Sequence, residues 1–97
     1  MDDTELNHLL GKIGKRVFVQ YFRQFGNPDI SPQEMIALLP DEYTLKSRAS
    51  RTSKSRRIFR EGLEQAALSI IGDSDRVEPE ATSEARALLA ELRTHPI

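Results

Sequence analysis

Apolar residues recur along this chain at helical spacing and give way to polar turns at three places. Leu6, Leu9, Leu10, Ile13, Val17 and Tyr21 follow a period close to 3.6 and keep phase into Phe25. This predicts a first helix over 4–25, capped by Asp3 or Thr4. Gly11 and Gly14 each weaken it by about 1 kcal/mol relative to alanine if they lie in its interior. The stretch "RVFVQYF" has the β-branched and aromatic content of a strand. The stripe runs through it in phase, however, and no second strand-like segment exists to pair with it. Apolar residues nearly all round 17–25 mark the best-buried part of the chain. "GNPD" ends it.

A second helix over 32–39 starts at Ser31-Pro32-Gln33-Glu34, a serine cap followed by proline in the first turn and glutamate three residues on. Pro40 stops it. Residues 41–52 read as a turn and a basic, Ser/Thr-rich connection. A third helix over 53–71 carries Phe59, Leu63, Ala66, Ala67 and Ile70 on one stripe and ends at Gly72. The fourth, over 79–93, places Ala81, Ala85, Leu88 and Leu92 at i, i+4, i+7 and i+11, and 94–97 reads as a frayed tail. The expectation is an all-α, four-helix single domain over 1–97, with room for a helix-turn-helix-like arrangement.

Composition narrows the function. The chain has 97 residues, no cysteine, 38% hydrophobic and 30% charged residues, which suits a globular domain and removes disulfides, thiolate metal sites and a cysteine nucleophile. No run approaches a membrane span, and the acidic start "MDDTELNHLL" is unlike a secretory signal, so the reading is a soluble cytoplasmic protein with no membrane partner. His8 and His95 are far apart, "GDSD" lacks the rest of a calcium loop, and no nucleophile, paired-carboxylate or phosphate-loop motif stands out. The expectation is no enzymatic activity, no metal and no cofactor.

Charge supplies the positive signal. The net charge is −1, yet segments 1–5, 6–28, 29–42, 46–60 and 61–97 carry −3, +4, −4, +7 and −5. Seven of the fourteen basic residues, Lys46, Arg48, Arg51, Lys54, Arg56, Arg57 and Arg60, occupy fifteen positions with no acid among them. With a helix starting at 53, Lys54, Arg56 and Arg57 fall in its first turn, where the dipole favours anions and disfavours cations. A bound phosphate would resolve that conflict, and the interleaved serines and threonines add donors. The segment therefore points to nucleic acid, DNA first, with Lys12, Lys15 and Arg16 as auxiliaries. Five phosphate contacts would give a duplex-binding salt slope of about −4 to −5.

Two other readings compete. The cations can answer acids of the same fold, with Arg57–Glu61 and Arg60–Glu64 at i, i+4. Opposite charge blocks also suit a protein partner or a homodimer with salt-sensitive head-to-tail pairing. Gln33 and Ala37 match the start of a helix-turn-helix pattern, which departs at Asp41 and Ser47, where glycine and an aliphatic residue are wanted. "LGKIGKRV" has the glycine spacing of the KH-domain loop, without the strands such a domain needs. Phe18, Tyr21, Phe22, Phe25 and Phe59 read as core, which leaves Tyr43, in the polar connection, as the aromatic to test for base stacking.

Overall fold

A computed structural model describes residues 1–94, and these form seven helices: α1 (Asp3–Ile13), α2 (Lys15–Gln20), α3 (Phe22–Phe25), α4 (Pro32–Leu38), α5 (Leu45–Arg60), α6 (Glu64–Gly72) and α7 (Pro79–Thr94). The all-α class is as expected, but the four helices become seven. Residues 95–97, most of the expected tail and with them His95, lie outside the described residues.

The first predicted helix is three segments. Gly14 sits at φ 92°, ψ 112°, a conformation only glycine adopts readily, and it turns the chain between α1 and α2. Tyr21 (φ −110°) makes a slighter break between α2 and α3. Each break residue closes one helix and opens the next: Gly14 N–H donates to Leu10 O and Gly14 O accepts from Phe18 N–H, and Tyr21 does the same between Val17 O and Phe25 N–H, while Leu6, Leu10, Ile13, Val17 and Phe25 stay buried.

The third predicted helix is also divided, and it starts earlier. Thr44 caps α5, its Oγ1 accepting from Ser47 N–H at 3.0 Å, so residues 45–52 are the first two turns of a helix rather than a connection. The helix closes in a Schellman motif: Gly62 at φ 70° donates to Phe59 O, and Leu63 N–H reaches back to Ile58 O. α6 follows at once. Gly62→Ala is expected to cost about 1–2 kcal/mol, since a Cβ there meets nothing within 4 Å and the penalty is conformational alone. A urea titration checks it, and Gly62→Asn should cost less because asparagine tolerates this region.

α4 and α7 match their predictions closely. Both hydrogen bonds of the capping box form, Glu34 N–H to Ser31 Oγ at 3.1 Å and Ser31 N–H to Glu34 Oε1 at 3.2 Å. Ala81, Ala85 and Leu88 of α7 are buried as the stripe requires. α6 and α7 pack as a hairpin, α1 lies against α5 and α6, α4 against α5, and α2 against α7.

Phe18 is fully buried at the centre, with Phe22, Phe25 and Phe59 at ring-centroid distances of 5.6, 6.3 and 5.9 Å. Leu6, Leu10 and Ile13 of α1, Met35 and Leu39 from the α4 region, Ile58 of α5, and Leu68 and Ile71 of α6 complete the core. Exposed ion pairs tie the outside, Arg23–Glu91 at 2.8 Å between α3 and α7 and Arg16–Glu78 at 3.2 Å. The Arg23 guanidinium is held above its usual pKa by its hydrogen bond to Glu91, so it stays charged at any accessible pH. Among the described residues no helix is long and apolar enough to cross a membrane.

Candidate nucleic-acid interface

All seven candidate cations lie on α5, and the helix distributes them around its circumference. Its buried face carries Thr52, Ser55 and Ile58. The opposite stripe, at the i, i+3/4, i+7, i+11 and i+14 spacing of one helical face, holds Lys46, Ala49 and Ser50, Ser53, Arg57 and Arg60. Cations mark both ends and small residues the middle, over about 21 Å at 1.5 Å per residue. Lys46, Ala49, Ser53, Arg57 and Arg60 are exposed, and no acid occurs anywhere in the helix.

Three arginines do something else. Arg51 donates through Nη1 to Ile13 O at the C-terminal end of α1, donates through Nε to Ser47 Oγ, and lies with its guanidinium carbon 4.0 Å from the centroid of Tyr43. Arg48 donates to Ile36 O near the end of α4, and Arg56 to Ile30 O just before α4. All three are half-buried. Arg86 repeats the device on α7, donating twice to Gly72 O at the end of α6. Carbonyls at helix C-termini lack intrahelical partners and carry partial negative charge, so a guanidinium from a neighbouring helix satisfies both. Lys54, also half-buried, donates to Ser50 Oγ on its own helix.

The electrostatic conflict inferred for a helix starting at 53 is therefore not present in that form. The true first turn holds Lys46 and Arg48, while Arg57 and Arg60 fall in the last turn, where the dipole favours them. Internal carboxylates do not neutralise the segment either. Of the seven cations on α5, only Arg57 is ion-paired among the described residues, to Glu61 at 2.7 Å. The other anticipated pair, Arg60–Glu64, does not form, because the Schellman turn at Gly62 ends the helix between them. Most of the charge remains, held by neutral acceptors.

Of the auxiliaries, only Lys12 joins this surface. It lines a groove of about 390 Å³ between α1 and α5, together with Glu5, His8 and Arg57. Lys15 and Arg16 instead border a separate hollow with Arg76 and Glu78. One ring face of Tyr43 is covered by Arg51, so the aromatic singled out for base stacking is already engaged on that side. Sequence reasoning overlooked Phe59 in this context: it is half-buried, at the edge of the core, beside Arg56 and Arg60 in a hollow of about 270 Å³. No known protein family matches the chain, and no curated protein or solved structure is significantly similar to it.

Proposed function

We propose that this chain is a non-catalytic module that binds nucleic acid, DNA first, by laying the outward face of α5 against backbone phosphates. The observation that carries the reading is the acid-free stripe of Lys46, Ser53, Arg57 and Arg60 on a sixteen-residue helix, with only Arg57 ion-paired. That pair does not block the site: exposed ion pairs contribute about 0–1 kcal/mol, so Arg57 can exchange Glu61 for a phosphate. Arg48, Arg51 and Arg56 position the helix from below, and Lys46, Lys54, Arg57 and Arg60 are the phosphate contacts. The packing of α4 on α5 lets the pair act in the manner of a helix-turn-helix with a lengthened turn.

Four phosphate contacts give a salt slope of about −3.6 for duplex DNA. The test is the affinity for a mixed-sequence duplex across a salt series, for the native chain and for the triple variant Lys46→Gln, Arg57→Gln, Arg60→Gln. The variant should stay folded and its slope should flatten by about 2.7. A flat response from the native chain overturns the reading. Salt-sensitive self-association without any duplex binding would instead establish the homodimer.

A further inference from the structure

We propose that the groove between α1 and α5 seats a phosphodiester of the bound nucleic acid between Lys12 and Arg57, with the His8 imidazole as a third donor, so that binding tightens as the pH falls. The inference rests on the nucleic-acid reading above and adds to it a further contact site and its regulation. The groove has a volume of about 390 Å³, within the ~300–1,000 Å³ of typical ligand clefts. One wall is α1, which contributes Glu5, His8 and Lys12, and the other is Arg57 of α5.

Helical spacing decides which of these side chains can serve one anion. Lys12 and His8 stand four residues apart on one face of α1, about 6 Å from each other along its axis. Glu5 lies three residues further toward the N-terminus, about 10 Å from Lys12, so the anion belongs at the Lys12 end. Lys12 and His8 are exposed, and neither is ion-paired among the described residues. Arg57 is paired with Glu61, an exposed contact that a phosphate can displace. Arg57 also belongs to the outward stripe of α5, so a backbone held by that stripe already has one contact in the groove.

The ionisable groups around His8 are Glu5, Lys12 and the Met1 amino group on its own segment and, across the groove, Arg57 with its partner Glu61. α2 and α6 also pack on α1, but none of their residues lines the groove. With His8 neutral, the lining side chains Lys12, Arg57 and Glu5 sum to +1, and protonation of His8 raises this to +2. Imidazole is the side chain that gains its charge between about pH 8 and 5. A phosphate in contact favours the charged ring, and by reciprocity the charged ring favours the phosphate, so affinity rises as the pH falls through that window. Only Met1 and Leu9 give the groove apolar surface. That is too little to anchor a partner helix, which needs a row of aromatic or aliphatic side chains set in pockets.

The experiment measures binding of a mixed-sequence duplex across a salt series at pH 8 and at pH 5.5, for the full native chain, His8→Gln and Lys12→Gln. The window stops at 5.5 because carboxylates ordinarily take up protons below it. The native chain should bind roughly two- to tenfold more tightly at pH 5.5, with a salt slope steeper by about 0.9. His8→Gln should match the native chain at pH 8 and lose the pH response. Lys12→Gln should flatten the slope by about 0.9 at both pH values. On the native chain, the His8 ring resonances should titrate at higher pH with the duplex than without it. Binding that ignores pH, an unmoved His8 titration, or a pH response kept by His8→Gln overturns this inference and leaves the phosphate reading standing. No duplex binding at either pH overturns both.

Discussion

Phe18→Ala is expected to lower the folding free energy by about 3–5 kcal/mol, the cost of emptying a large aromatic site in a packed core. Phe18 is fully buried and contacts the rings of Phe22 and Phe25 of α3 and of Phe59 of α5. Removing it takes away the transfer free energy of the ring and the partner around which the other three are arranged. Collapse cannot fill the space cheaply, because α2 and α3 are short helices whose orientation depends on these contacts. A domain of this size has about 5–15 kcal/mol of stability in total, so the midpoint of urea unfolding should fall steeply. Phe18→Leu, closer in volume, should cost far less. A loss below about 1 kcal/mol for the alanine variant would show that the aromatic cluster is not the centre of the fold.

Arg51→Ala is expected to cost about 2–4 kcal/mol, large for a side chain that is only half-buried. Three contributions combine: a charged hydrogen bond to Ile13 O of about 1.5–3 kcal/mol, a cation–π contact with Tyr43 of about 0.5–2 kcal/mol, and the packing of the aliphatic stem. They overlap, so they do not simply add. Arg51→Lys should recover only part of the loss, because a lysine ammonium cannot serve the Ile13 carbonyl, the Ser47 hydroxyl and the Tyr43 face together. A double-mutant cycle with Tyr43→Leu should give a coupling of about 0.5–1.5 kcal/mol. The same variants separate two roles for arginine on α5. If Arg51 positions the helix, its replacement changes the unfolding midpoint and leaves the salt slope of binding nearly alone. Replacing Lys46, Arg57 and Arg60 should do the reverse. A flattened slope with unchanged stability in Arg51→Gln would transfer Arg51 to the group that contacts phosphate.

Gly14 belongs to the same unit. Its φ of 92° turns α1 into α2 and leaves Ile13 O available, and a Cβ at this residue would lie 2.9 Å from Arg51 Nη1. One glycine and one arginine, 37 positions apart, together define how α5 is seated on α1. Neither residue signals the other in the sequence.

What could be read from the chain alone was whatever depends on neighbours a few residues away. The capping box at Ser31–Glu34, the stripe of Ala81, Ala85 and Leu88, and the apolar band from Leu6 to Phe25 are local patterns, and each stands where its period puts it. Helix boundaries were less legible where two signals conflicted. Gly62 falls within the predicted stripe of Phe59, Leu63, Ala66, Ala67 and Ile70, and the Schellman turn there changes which positions are buried: Ile58, Ala67, Leu68 and Ile71 are in the core, while Phe59, Leu63, Ala66 and Ile70 are half-buried at its edge. Thr44 was a cap concealed in a run of hydroxyls and cations that looked like a connection. The density of positive charge on 46–60 was evident from composition, but its destination was not. A guanidinium can pair with a carboxylate, a phosphate or a bare backbone carbonyl, and the chain places Ile13 and Ile36 O near helix C-termini, and Ile30 O in the loop before α4, within reach of Arg51, Arg48 and Arg56 only after it has folded. Periodicity and capping are set within one or two turns of helix. Which cations face outward, and which serve the ends of other helices, follows from packing between segments tens of residues apart, and that was decided by the tertiary structure.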